Sequence, residues 1–241
     1  MENLNKFVNS YKSDFEFTFD NQIILNWYPR RILERAPKSA KVLELGIGHG
    51  YTCKWFSEQF ASYTVVDGSS AVIERHLKEY PDSRAQIVES YFENFETPER
   101  FDLIIMGFVL EHVENPNVIL QRYKSFLNPG GRCYVAVPNA ESLHRRFGQS
   151  AGYLNDFFSL SAADLSFGHR RVYSVEKLTE EMETCGYQIL TKEGIFLKPL
   201  TTSQLKNINL SNEILEGMCR VGVEYPELCA ALLFEAVVRK S

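Results

Sequence analysis

The chain has 241 residues, 44% of them apolar, and 26 basic against 31 acidic side chains give a net charge of −5. Length and apolar content predict one α/β domain with a full core. The acidic balance argues against nucleic acid as a partner, because phosphate binding draws on a basic surplus.

No apolar run approaches the length that crosses a bilayer, and the polar, charged stretch from Met1 to Ser13 argues against a signal peptide. A cytoplasmic protein without membrane partners is expected. Cys53, Cys133, Cys185, Cys219 and Cys229 are widely spaced and show neither C-x-x-C nor zinc spacing. They read as reduced core thiols.

In chain order, residues 1–20 are charged and aromatic-rich, with Phe7, Tyr11, Phe15, Phe17 and Phe19. Asn21 to Arg35 reads as an amphipathic helix, and 41–45 as the first strand. A helical pattern over 52–60 leads to a β-branched run at 63–66 that ends in Asp67-Gly68. A helix over 71–79 stops at Pro81, and strands follow at 85–89 and 101–106. Residues 116–126 are helical, 128–131 (Asn-Pro-Gly-Gly) form a turn, and 132–137 make a fifth strand ended by Pro138. Residues 139–172 are polar, aromatic and basic without clear periodicity. A helix at 174–185 follows, capped by Ser174 at its start and by Gly186 in the C′ position. Strand-like runs at 187–197 and 228–238 close the chain, joined by a long polar connection. Strands alternating with helices predict a parallel, doubly wound Rossmann-like sheet.

The most informative segment is Val42-Leu43-Glu44-Leu45-Gly46-Ile47-Gly48-His49-Gly50. It reads as a buried strand feeding a tight glycine turn at a helix start, where a ligand lies close to the backbone. The dinucleotide fingerprint G-x-G-x-x-G would put its third glycine at position 51, which is Tyr. The glycine falls at 50 instead, which counts against a nicotinamide-dependent oxidoreductase. Asp67 stands about 20 residues beyond Gly46, the distance at which an acid meets ribose hydroxyls. Asp67-Gly68 is also a common turn pair.

With Glu44 ahead of the glycines, the segment resembles motif I (E/D-x-G-x-G-x-G) of the class I S-adenosylmethionine-dependent methyltransferases, with Thr52 at the relaxed last position. Met106-Gly107-Phe108-Val109-Leu110-Glu111-His112-Val113, then Pro116 and Leu127-Asn128-Pro129-Gly130-Gly131, resemble the small-molecule branch of that superfamily. The likeness covers roughly residues 38–140. It implies a seven-stranded sheet with an antiparallel C-terminal strand pair and S-adenosyl-L-methionine (SAM) as cofactor. It also implies Glu44 near the methionine end of SAM, Asp67 and Gly68 at the ribose, and Ser90, Tyr91 and Phe92 at the adenine. Tyr11 would reach over the cofactor, where an aromatic face favours the sulfonium. The single domain would then comprise a lid segment (1–37), a SAM-binding core (38–138), an acceptor-side insertion (139–172) and a C-terminal helix with strands (173–241).

On the acceptor side, His112 is the candidate general base, since its ordinary pKa suits proton transfer near neutrality. A structural role bonding the chain after the fourth strand is the competing reading. Two His-Arg-Arg triplets, at His144-Arg145-Arg146 and His169-Arg170-Arg171, add His144 and His169 as pocket candidates. Asn139, Arg145, Arg170 and Tyr173 are candidate acceptor contacts. Arginine forks suit carboxylate or phosphate, so an anionic group on the acceptor would explain them; anchoring the insertion is the simpler alternative. No metal spacing is visible, so metal-independent transfer is expected. The expected activity is methylation of a hydroxyl or amine on a small metabolite (sugar, sugar nucleotide or natural-product intermediate) by a monomer or homodimer. A SAM-binding partner or regulator without catalysis is the alternative.

Overall fold

The computed structural model describes residues 18–239. Its strands are β1 (Lys41–Leu45), β2 (Ser62–Asp67), β3 (Gln86–Glu89), β4 (Phe101–Gly107), β5 (Leu127–Pro138), β6 (Tyr187–Ile195) and β7 (Ala231–Val238). They form a 7-stranded sheet in the order β3-β2-β1-β4-β5-β7-β6. β1 to β5 are parallel, and β7 runs antiparallel to both β5 and β6. From β1 the chain steps outward through β2 and β3, then returns to β4 on the other side of β1. That reversal opens a crevice beyond the carboxyl ends of β1 and β4.

Helices α1 (Thr18–Leu33), α2 (Tyr51–Gln59) and α3 (Ser70–Glu79) precede α4 (Pro116–Lys124). After β5 come α5 (Leu143–Ser150), α6 (Ala162–Phe167) and α7 (Val175–Thr184), and α8 (Thr202–Ile208) and α9 (Asn212–Gly222) lie between β6 and β7. Central strands are buried on both faces, so their side chains divide alternately between two cores. Leu43, Leu45, Ile104, Met106, Val135 and Val137 pack toward Ile119, Leu120 and Tyr123 of α4 and Leu178 and Met182 of α7. Val42, Val65, Leu103, Ile105 and Ala136 face the other way, onto Tyr28 and Ile32 of α1 and Phe56 of α2. Each such aliphatic side chain contributes about 1.5–3 kcal/mol by leaving water. Cys53, Cys133, Cys185, Cys219 and Cys229 are all buried and free.

Helix α1 is tied to the antiparallel end of the sheet. Arg31 donates to both oxygens of buried Glu193 at 3.0 and 2.9 Å, and Arg35 reaches Glu193 and Glu235. This holds Asp20 and Tyr28 over the crevice.

Several sequence boundaries shift. The region 139–172, read as aperiodic, contains α5 and α6, and the polar connection after β6 contains α8 and α9. Helix α5 is eight residues long and none of its side chains is fully buried, so the run is too short for helical periodicity to stand out. The last strand begins at Ala231 rather than 228, because Pro226–Leu228 is a 3-10 turn. β6 stops at Ile195, where Phe196 takes a left-handed φ of 61°. Asn128-Pro129-Gly130-Gly131 makes an excursion within β5: Phe101 pairs Leu127, but Leu103 pairs Arg132.

Candidate active site

A cavity of about 1020 Å³ fills the switch-point crevice, lined from the loops after β1 to β5 and from α1, α6 and the segments at 144–145 and 198. Such a volume suits a nucleotide-sized group together with a small second molecule.

The glycine loop forms one end. Gly46 donates to the Val66 carbonyl at 2.8 Å, which fixes the exit from β1. Gly48 has φ +55°, and a Cβ built on it meets nothing within 4 Å, so its backbone borders open space. Gly50 lies behind the cavity wall instead. At φ +90° a Cβ there would stand 2.9 Å from His76 Nδ1, so its lack of a side chain lets α2 seat against α3.

Asp67 binds this loop from beneath. Its Oδ2 accepts from the Ile47 amide and its Oδ1 from the Ser69 amide, both at 2.8 Å. Burial raises its pKa, against those two amides and the Arg75 charge. Asp67 and Gly68 line the cavity, and each carboxylate oxygen keeps lone-pair capacity for a further donor.

Glu44 also lines the cavity, 2% exposed, and accepts from the Tyr63 hydroxyl. Burial pushes its pKa up to about 8. Above the ordinary carboxylate range an unfolded chain releases this proton while the fold retains it, so stability falls as pH rises toward 8. Glu44→Gln keeps an acceptor for Tyr63 without the charge. The variant is expected to gain on the order of 1–3 kcal/mol over wild type by pH 8, and much less near pH 5. Urea unfolding at both pH values measures this; a difference independent of pH would contradict it.

After β3, Tyr91 and Phe92 reach the cavity wall, but Ser90 does not. Its hydroxyl donates to the Tyr91 carbonyl at 3.0 Å. Tyr11 lies outside the described residues.

The loop after β4 builds the neighbouring wall, where Val109 lies beside Gly46. Gly107 sits so close to Tyr28 that a Cβ would fall 2.5 Å from its hydroxyl. Phe108 follows at φ 58°, unusual for a residue with a side chain. Glu111, His112 and His169 then converge. The two imidazoles meet edge to face with ring centres 4.8 Å apart. His169 Nδ1 pairs with Asp164 Oδ1 at 3.1 Å, and Asp164 caps Ser161 at the start of α6. Burial, then the neighbouring His169, brings the His112 pKa down to about 3, so its ring is neutral in the physiological range. Burial likewise pushes Glu111 up to about 7, with His169 working against it.

A second polar group faces the same cavity. His144 Nδ1 pairs with Ser142 Oγ at 3.1 Å, and burial together with the Lys198 charge brings its pKa down to about 3. Lys198 donates to Asp20 and, at 2.8 Å, to Thr202. The sequence reading missed Asp20, Tyr28 and Lys198. Only tertiary folding assembles them, and no local spacing marks them.

The arginines spend much of their hydrogen bonding on backbone carbonyls. Arg145 donates to the carbonyls of Ala140, Phe157 and Ser159 at 2.9, 2.6 and 3.0 Å. Arg170 Nε donates to the His112 carbonyl at 3.1 Å, and Arg171 to Leu110 and Glu114 at 2.8 and 3.0 Å. They anchor the insertion and clamp the loop after β4, the simpler of the two roles expected for them. Asn139 borders the cavity, but its amide ties β5 to the carbonyls of Pro226, Glu227 and Cys229. Tyr173 is fully buried in the core beneath, outside the cavity wall. Neither is positioned as an acceptor contact. Ser174 caps α7 as expected, accepting from the Lys177 amide at 3.1 Å.

A doubly wound sheet with a glycine loop, an acid ending β2 and a deep switch-point cavity defines a nucleotide-type cofactor domain. Residues 24–192 match the family described as "Methyltransferase domain". The chain belongs to this family, whose cofactor is SAM. It is 31% identical over 115 residues to a ubiquinone biosynthesis O-methyltransferase of Maricaulis maris, covering 45% of this chain and 44% of that one. The chain thus spans under half the length of this curated relative. Among solved structures, a SAM-dependent methyltransferase of Thermotoga maritima, described as a possible histamine N-methyltransferase, aligns with TM-score 0.66 and 17% identity, covering 98% of this chain and 97% of that one. N-methyltransferase NodS of Bradyrhizobium japonicum, solved with S-adenosylhomocysteine, aligns with TM-score 0.63 and 14% identity over 99% and 100% of the two chains. At these identities the structures establish the shared fold. Among the described residues no helix is long and apolar enough to cross a membrane.

Proposed function

We propose that this protein transfers the methyl group of SAM to a hydroxyl of a small metabolite. The observation that carries the reading is one continuous cavity that the Gly46–Gly48 loop and Asp67 share with Glu111, His112 and His169. The likeness to an O-methyltransferase across the core supports a hydroxyl over an amine.

The residues divide the work. Asp67 holds the ribose hydroxyls with its remaining lone pairs, and the open face of Gly48 lets the cofactor lie against the backbone. Tyr91 and Phe92 flank the adenine. Glu44 stands near the methionine end, in a protein environment that favours its protonated form. When bound, SAM supplies an electrophilic methyl on a sulfonium. What the protein adds is approach: the acceptor oxygen must stand about 3 Å from the methyl carbon, in line with the departing sulfur. The Glu111–His112–His169 group is where that oxygen loses its proton. His144, beside Lys198, contributes the far wall of the acceptor space.

Radiolabelled methyl transfer from SAM to a panel of phenols, catechols, sugars and amines, each at matched concentration, tests this reading. Transfer to hydroxyl compounds with amines inert is expected. Transfer confined to amines, or none to any class by protein that binds the cofactor, would overturn it.

A further inference from the structure

Building on that reading, we propose that Glu111, His112 and His169 form a binding site for a divalent transition-metal cation of the Zn²⁺ or Mn²⁺ class at the acceptor end of the cavity. One ligand atom from each of these side chains lies within 4.8 Å of the others. Ligands held about 2.0–2.2 Å from such an ion lie roughly 3–4.4 Å from one another, so small side-chain rotations close the set.

Buried carboxylates keep their oxygens bonded, yet Glu111, 1% exposed, has an Oε2 with no hydrogen-bond partner among the described residues. Glu111 lines the cavity, which places a buried carboxyl oxygen beside two imidazoles.

The surroundings resemble those of a built site. Ligating histidines commonly give their other ring nitrogen to a carboxylate, which fixes tautomer and orientation. His169 does so: its Nδ1 is held by Asp164 at 3.1 Å, leaving Nε2 for an ion. Asp164 is itself fixed by the amide and hydroxyl of Ser161 at 2.8 and 2.6 Å. The Glu111–His112 backbone is pinned by Arg170, whose amide donates to the Glu111 carbonyl at 2.8 Å and whose Nε donates to the His112 carbonyl.

Two imidazoles and one carboxylate with open positions suit borderline transition cations better than Mg²⁺ or Ca²⁺, which favour all-oxygen sets. The open positions face the acceptor space. A bound hydroxyl becomes a stronger acid there. Its proton leaves to solvent, its oxygen lone pair forms the new O–CH₃ bond, and the S–CH₃ bonding pair stays on sulfur as the thioether. His112 then serves as a ligand rather than as the proton acceptor.

The test is calorimetric titration of EDTA-stripped full-length protein with Zn²⁺ and with Mn²⁺ alone, followed by visible absorption on Co²⁺ addition. One ion per chain is expected, and Glu111→Gln and His169→Asn should each weaken it at least about tenfold. Asp164→Asn, which leaves all three ligands in place, should weaken it by about ten- to hundredfold and guards against a misfolded Glu111 variant. S-adenosylhomocysteine is titrated into the same samples. Protein that binds the thioether but takes up no ion, or whose ion affinity is the same in all three variants, would overturn the cation site and leave the methyltransferase reading standing. Folded protein that takes up the ion but not the thioether would overturn that reading instead, and the cation's role in methyl transfer with it.

Discussion

His112→Ala should lower turnover by about 10²–10⁴-fold while leaving S-adenosylhomocysteine affinity nearly unchanged. The imidazole lines the cavity from the loop after β4 and is separate from the glycine loop and Asp67, so its loss removes activation of the acceptor and leaves the cofactor's expected contacts alone. The expectation is the same whether the ring receives the proton or holds a cation, because either role acts on the acceptor oxygen. The loop should survive the change. Arg170 and Arg171 grip its carbonyls at Leu110, His112 and Glu114, and none of those bonds involves the ring. A melting temperature that collapses, with turnover per folded molecule unchanged, would assign His112 a purely structural role.

Asp67→Ala is the second large effect, and it should appear in binding. The substitution removes the expected ribose acceptor and also frees the Ile47 and Ser69 amides, each now held at 2.8 Å. Loss of the ribose hydrogen bonds should weaken S-adenosylhomocysteine by on the order of 1–3 kcal/mol, which is about 5- to 150-fold in Kd. The uncompensated amides should lower stability as well, since a buried donor without a partner costs roughly 1–3 kcal/mol. Asp67→Asn separates the two effects, because one amide oxygen can keep one backbone donor and still lacks the carboxylate's capacity. Unchanged affinity in both variants would remove Asp67 from the cofactor site and leave it as the strut between β1 and β2.

Where the fold was legible in the sequence, physics made the pattern local. Residues 42–45 are buried on both faces and read as an apolar run interrupted only by Glu44, and the glycines at 46, 48 and 50 mark a turn with positive φ. Pro116 and Asn115 announce the start of α4, which the Asn115 side chain caps at the Asn117 and Val118 amides. Helix α9 is hard to read in the sequence although Leu215, Cys219 and Gly222 form its buried stripe. Two members of that stripe are small, and Gly217 interrupts the run with a poor helix former.

The candidate site divides the same way. Its cofactor end follows the strand ends and could be read in order along the chain. Its acceptor end depends on contacts across the molecule: His112 meets His169, and Asp20 meets Lys198. The His-Arg-Arg triplets looked like anion-binding forks because their carbonyl partners cannot be seen in sequence. Glu111 carries no sequence signal as a functional group, because its unpartnered oxygen is a fact of burial that composition does not show.

The most direct test of the central claim is calorimetric titration of the purified protein with S-adenosylhomocysteine, with NAD and NADP run in parallel. Binding of the thioether in the micromolar range, with both nicotinamide dinucleotides silent, is the expected result. No binding of the thioether, or binding of NAD in its place, would contradict the assignment of the glycine loop and of the cavity built on it.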